Sequence, residues 1–332
     1  MTMFGRKCLS TFLVRSRSLH TSRPAPALPP VMWLLLKPLS RVAAGLLGKG
    51  ARVWWRRLPD TRKMEVKEWA RGHRRKFVYA GGLFSGGILY AYESHIQECP
   101  ITGKKRFVAL YPDQVKKISK QEFQNYLEEF EDNIVSSNSK IYNRVVNVSN
   151  KLLKGNRDIR QIYDKSWTVT VVDSPIRNAF VLPCGNIFVF TGMLDVCRND
   201  DQLAIIIGHE MSHAILGHVA EQLTQAGFIS MLLLVPMAVI WAMLPNDGIA
   251  LVTDWFIQKV TDICFRLPHS RRHEMEADEV GLMMAAKACF DVREAPALWE
   301  IMEVFDSLNN EDSMSTDKDL EFLSSHPVHS SR

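Results

Sequence analysis

The sequence predicts an α+β fold: a mostly helical domain with a small antiparallel sheet, preceded by a transmembrane helix. Three observations carry that prediction. Residues 77–92 form a run of sixteen uncharged residues bounded by Lys76 and Glu93. Beyond it, stretches with apolar residues three and four apart alternate with three short runs of Val, Thr, Ile and Phe gathered between 167 and 192. The 240 residues from 93 to 332 are ample for one buried core.

The elements follow in order. Residues 1–59 hold eleven Lys and Arg and no acidic residue, with Ser, Leu and Phe between them in MFGRKCLSTFLVRSRSLHTSR. This is the pattern of a mitochondrial presequence and basic segment; Arg15 and Arg17 break the apolar core that a secretory signal needs. No nucleic-acid-binding motif and no aromatic interleaving accompany the charge, which argues against nucleic acid as a partner. Residues 60–76 continue as a basic juxtamembrane segment. Residues 1–76 carry 18 basic and 3 acidic side chains, leaving 23 basic against 33 acidic, so the net charge of +5 hides a divide at Lys76.

At about 1.5 Å per residue the run 77–92 spans roughly 24 Å, short for a bilayer, but Lys76 can snorkel and Tyr90 and Tyr92 suit an interface. The positive-inside rule then puts the basic part in the matrix and the acidic part, 93–332, in the intermembrane space, anchored once in the mitochondrial inner membrane. Gly82 and Gly86 form G-x-x-x-G, a weak pointer to self-association and a homo-oligomer.

Residues 119–154 read as mainly helical, ending at Gly155. WTVTVVD, AFVLP and NIFVFTG read as strands, with Pro183 and Gly185 turning the last pair. DDQLAIIIGHEMSHAILGHVAEQL opens on Asp200 and Asp201 as N-cap residues and reads as a largely buried helix. A second apolar run, FISMLLLVPMAVIWAML (228–244), is followed by a segment carrying Asp254, Lys259 and Asp262 that makes a poor span. We expect a membrane-associated insert here, re-entrant or membrane-lying and kinked near Pro236, with burial in the protein's own core as the alternative. The six cysteines show no paired spacing and define no disulfide framework.

The chemistry concentrates in GHEMSHAILGH. Four residues turn a helix by about 400°, so His209 and His213 share one face and can reach one ion. Glu210 beside that face can hold and deprotonate a metal-bound water, the chemistry of the H-E-x-x-H zinc peptidases. The bland alternative, two hydrogen-bonded core histidines, leaves Glu210 as a buried carboxylate needing a partner of its own. His218 lies nine residues after His209, about 180° round the same helix, and is expected to point away as a structural or surface histidine.

The third ligand is expected from RRHEMEADEVGL. Glu274 and Asp278 are four apart, with Ala277 and Gly281 small enough for a second helix to approach closely. One carboxylate can bind zinc, and the other can accept the N–H of a ligating histidine. The bland alternative is a solvated acidic face.

H-E-x-x-H followed about sixty residues later by E-x-x-x-D resembles the zinc endopeptidases that include the heat-shock protease HtpX and the CAAX prenyl proteases. SPIRNAFVLPCGNIFVFTGML resembles that family's edge strand and hairpin, and SSHPVHSSR its closing His-Pro motif. The wider chain, from LLKPLSRVAAGLLGKGARVWW through CPITGKKRF, is similar to the family's mitochondrial branch. The resemblance implies one Zn2+ on His209, His213 and Glu274, with Glu210 activating water and Asp278 supporting a zinc histidine. It further implies His326 and Arg332 at the reacting carbonyl oxygen.

An extended substrate is expected to add as a strand along Asn178, Ala179 and Phe180. Inner-membrane proteins are the implied substrates, notably the dynamin-like fusion GTPase, in stress-activated quality control. The chain departs from the family at Cys184, where Asn or Gly is usual, and stops at Arg332 where the family continues. A catalytically silent shortened form, acting as scaffold or competitor, is the alternative function.

Overall fold

The computed structural model describes residues 30–261, 267–311 and 326; Arg332 lies outside the described residues. Three helices open it: α1 (Pro30–Arg57), α2 (Asp60–Gly72) and α3 (Arg74–Ser94). α3 contains the expected span 77–92 and turns its apolar side chains outward, Leu83 and Tyr90 being 80% and 77% exposed. By length and apolarity alone, the one candidate span among the described residues is a later helix, α9 (His218–Met243).

After α3 a small antiparallel hairpin, β1 (Ile96–Glu98) with β2 (Lys105–Phe107), leads into α4 (Pro112–Glu129). The stretch 119–154, expected to be mainly helical, holds two helices. α4 ends before Phe130, and α5 (Lys140–Gly155) restarts where the Ser139 hydroxyl accepts the Ile141 N–H. Between them Ser136 and Asn138 favour turns over a continuous helix.

A short helix, α6 (Arg160–Tyr163), precedes the main sheet of β3 (Thr168–Val172), β4 (Ala179–Val181) and β5 (Asn186–Phe190). The strand order is β3-β5-β4. The expected antiparallel sheet is therefore mixed: β4 and β5 form the antiparallel hairpin, whereas β3 runs parallel to β5, with Val171 opposite Val189. The chain reaches β4 before β5, so β3 meets the central strand only after the hairpin has turned, and in the same direction. β4 is left at the edge, as the sequence predicts.

A short α7 (Thr191–Val196) leads into α8 (Asp200–Leu216), the central helix, buried from Gln202 to Leu216. Its N-cap is Asn199, whose side chain accepts the Gln202 N–H at 2.8 Å, and not Asp200 or Asp201, which lie in the first turn. α8 ends at Gly217, left-handed at φ 75°, and α9 starts at the next residue. Glycine reaches that conformation without the steric cost a Cβ would bring.

α9 runs through Pro236 to Met243 as one helix, and the chain turns back only after the apolar run, into α10 (Asp247–Thr261), which packs against α9. α1 lies along α9: Gly48 packs on the Ala238 carbonyl and Trp241, and Lys49, Arg52 and Arg56 grip Asp247, Leu244 and Pro245 at the hairpin tip. The last described helices are α11 (Leu267–Lys287) and α12 (Glu294–Glu311).

α11 crosses α8 at two glycines; a Cβ on Gly208 would lie 3.0 Å from the Gly281 carbonyl oxygen. The core gathers around this crossing, with Ile187, Leu203, Ile206, Met211 and Met284 buried among α5, the sheet and both helices.

Candidate metal centre

α8 and α11 bring the predicted residues together because each supplies an i,i+4 pair to the same crossing. His209 Nε2 lies 3.1 Å from His213 Nε2 and 3.4 Å from Glu274 Oε2, and His213 Nε2 lies 3.6 Å from Glu274 Oε1. His326 completes the group, its Nδ1 2.8 Å from Glu274 Oε2 and 3.4 Å from His209 Nε2. One donor atom from each of the four residues falls within 4.8 Å of all the others.

Zinc accepts N and O ligands at about 2.0–2.2 Å, and four such atoms in a tetrahedron stand about 3.4 Å apart. The named spacings, from 2.8 to 3.6 Å, lie around that figure, and the donor types are those zinc takes. The residues therefore fit one zinc ion. His326, expected at the reacting carbonyl, lies beside these donors, with Nδ1 toward Glu274 and His209.

Around the donors, Asp278 Oδ1 lies 2.8 Å from His209 Nδ1, the contact that fixes which nitrogen faces the ion. Glu210 Oε1 is 3.9 Å from His209 Nε2 and 3.5 Å from His326 Nε2, beside the donors and not among them. Burial works against charge throughout; Glu274 and His213 take the states that ligation needs, whereas His209 holds a proton that a bound ion would displace. Burial opposes ionisation of Glu274, but the imidazoles of His209 and His326 hold it well below the usual carboxylate range. His213 is pushed well below its ordinary value by burial and by the neighbouring His209 and His326. Burial also lowers His209, but Asp278, Glu274 and Glu210 outweigh it and raise the ring to about 9.

His218 does not point away. Because α8 stops at Gly217, the ring belongs to α9 and turns back, placing Nδ1 2.9 Å from His213 Nδ1. It is fully buried, and burial pushes it down to about 4, so the ring is neutral. The glycine before it was the available signal, since a left-handed glycine commonly closes a helix. Glu276, between the two carboxylates singled out on α11, went unread; it is buried and lies 3.4 Å from His218 Nε2.

A cleft of about 340 Å3 opens onto Glu210, His213, Glu274 and His326, with Phe180 and Leu182 of the edge strand along one side. Of the three expected substrate-binding residues, Phe180 lines this cleft and Ala179 is packed into the core. The Asn178 carbonyl accepts the Phe190 N–H and holds the strand to β5.

Comparison with known proteins agrees with this geometry. The model of peptidase family M48 matches residues 144–332. The chain is 42% identical to "Metalloendopeptidase OMA1, mitochondrial" of Danio rerio over 96% of its own length, and 38% identical to the protein of that name in Homo sapiens over 95%. It spans 66% and 60% of those two relatives. "Mitochondrial metalloendopeptidase OMA1" of Saccharomyces cerevisiae is 30% identical over 78% of this chain and 72% of its own. Family model and relatives meet on the segment that carries both ligand helices: the chain belongs to peptidase family M48.

Proposed function

We propose that this chain is a zinc-dependent endopeptidase of the mitochondrial inner membrane, cleaving membrane proteins in stress-activated quality control, among them the dynamin-like fusion GTPase. The observation that carries the proposal is the buried donor group of His209, His213 and Glu274 with Glu210 beside it, open to a cleft bordered by the edge strand β4. The mitochondrial names of the relatives and the basic leader support the location. The exposed apolar face of α3 supports its passage through lipid, and the α9–α10 hairpin suits the same membrane.

His209, His213 and Glu274 would hold the zinc, which when bound supplies Lewis-acid polarisation of a peptide carbonyl and acidification of water. Asp278 keeps the proton of His209 on Nδ1, so Nε2 faces the ion. Glu210 accepts the proton of the attacking water at Oε1 and returns it to the leaving nitrogen. His326, whose Nε2 lies 3.5 Å from Glu210 Oε1, donates to the developing oxyanion, and Arg332 is assigned with it. The edge of β4 pairs with an extended substrate and sets the scissile bond over Glu210.

Replacing Glu210 with Gln tests this directly. Cleavage should fall by about 10²–10⁴-fold while zinc content stays at that of the unmodified chain. A Glu210→Gln protein that cleaves at the original rate would refute the assignment. New protein N-termini compared between mitochondria carrying the two forms would identify the substrates.

A further inference from the structure

Behind His213, reached through His218, lies a buried polar cluster that the chemistry above does not use. Its centre is Arg106 of β2, 6% exposed, with Nη1 2.9 Å from Glu221 Oε2 and Nη2 2.7 Å from Glu276 Oε2. The Thr102 hydroxyl donates to Glu276 Oε1 at 2.6 Å. His273 Nε2 lies 3.0 Å from Glu221 Oε2, and its ring stacks on His218 at 4.2 Å between centroids. A guanidinium and two carboxylates withdrawn from water are costly unless paired, and breaking such a set strands a buried charge. Here the set joins three parts of the chain: the β1–β2 hairpin, the start of α9, and α11.

The cluster has a direction. His213 turns Nε2 toward the donor group, 3.1 Å from His209 Nε2, so ligation there requires its hydrogen on Nδ1. That nitrogen faces His218 Nδ1 at 2.9 Å, which must then be the acceptor. His218 consequently carries its own hydrogen on Nε2, and Nε2 faces Glu276 Oε2 at 3.4 Å. The relay runs His213 to His218 to Glu276 and ends on Arg106.

We propose that Arg106, Glu276 and His218 are positioning residues for the metal ligand His213, and that through Arg106 the hairpin directly following α3 is a working part of the metal site. The proposal rests on the zinc reading given above. It assigns the second imidazole nitrogen of His213 an imidazole acceptor, with a carboxylate one step further out. It also gives the hairpin a mechanical consequence: a displacement of β2 relative to α11 pulls on Glu276 and loosens the hydrogen bond that aims His213.

The test measures zinc affinity of the full-length protein in detergent by chelator competition, with the cobalt-substituted visible spectrum as a second readout. His218→Leu removes the acceptor and should weaken zinc binding about 10- to 100-fold, the usual cost of losing an outer partner of a ligating histidine. His218→Gln can accept from His213 and donate to Glu276, and should stay within about threefold of the original affinity. Arg106→Met should weaken zinc about tenfold, with Arg106→Lys intermediate, because an ammonium cannot bridge both carboxylates as a guanidinium does.

Asn156→Ala serves as the stability control, because it removes two buried hydrogen bonds, to Leu152 O and Met284 O, without touching the relay. Weakened zinc in His218→Leu but not in Asn156→Ala supports the proposal. Original zinc affinity and cobalt spectrum in both His218→Leu and Arg106→Met overturn it, provided His213→Ala binds more weakly. If His213→Ala binds as tightly as the original, the zinc reading falls and the proposal with it. Should Arg106→Met fail to fold, the contrast between His218→Leu and His218→Gln decides, and equal affinity in those two overturns the proposal.

Discussion

The α8–α11 crossing is the tightest contact at the metal site, and Gly281→Ala is the smallest change that probes it. A Cβ on Gly281 would stand 2.8 Å from the His209 nitrogen, 2.9 Å from His209 Cα and 3.0 Å from the Gly208 carbonyl carbon. All three are backbone atoms, so no side chain can swing aside. Comfortable carbon contacts lie at about 3.5–4.0 Å, so the helices must part by roughly 0.5–1 Å.

Overpacking of this kind costs about 1–3 kcal/mol, and the better helix propensity of alanine returns about 1 kcal/mol, for a net loss of up to about 2 kcal/mol. The metal feels more. Glu274 and Asp278 move with α11 while His209 and His213 stay with α8, and metal–ligand distances tolerate only about 0.2 Å. Zinc affinity should therefore drop about tenfold, or about 1.4 kcal/mol. Urea unfolding of the zinc-free protein and chelator competition measure the two effects. Gly50→Ala on α1, where a Cβ meets nothing within 4 Å, is the control and should leave zinc binding untouched. A Gly281→Ala protein with original stability and original zinc affinity would refute the claim that this crossing sets the ligand geometry.

Two further outcomes follow from the same structure. Leu182 and Phe190 donate their N–H groups across the hairpin, to Asn186 and Asn178, so by the alternation of antiparallel pairs Val181 turns its own N–H to the free edge; Val181→Pro should lower kcat/KM about tenfold through one lost substrate hydrogen bond while leaving zinc content unchanged, measured by peptide hydrolysis and metal analysis. Burial pushes the Cys197 thiol up to about 12 against the pull of Arg144, whereas Cys289 is exposed, so a maleimide at pH 8 followed by peptide mapping should label Cys289 in the folded protein and Cys197 only after unfolding.

The zinc helix was legible because its chemistry is local: two histidines at helical spacing, a glutamate beside them, and small residues on the second helix where the two must touch. Glu274 and Asp278 could be read for the same reason. The relay behind them could not. In the run Lys104, Lys105, Arg106 all three residues look like solvated charge, and the pleat of β2 alone sends Lys105 outward and Arg106 inward. His218 was misdirected by treating α8 as continuous through Gly217, although one left-handed residue suffices to re-aim everything after it. Parallel pairing of β3 with β5 was invisible because strand order depends on where the hairpin lands, and no residue within β3 records that.

The two ligand helices are far apart in the chain, with α9 and α10 lying between His213 and Glu274. An ion joining those residues closes a loop of about 60 residues, and the chain-entropy estimate for a cross-link of that length is about 4 kcal/mol. A zinc ion bound there would thus be a fastener as well as a reagent. It staples the base of the apolar hairpin, much as a disulfide would, but with a bond that chelation can undo. Stripping the metal would release the hairpin from that constraint at the same moment that it empties the site, so loss of the ion and loosening of α9 and α10 arrive as one event.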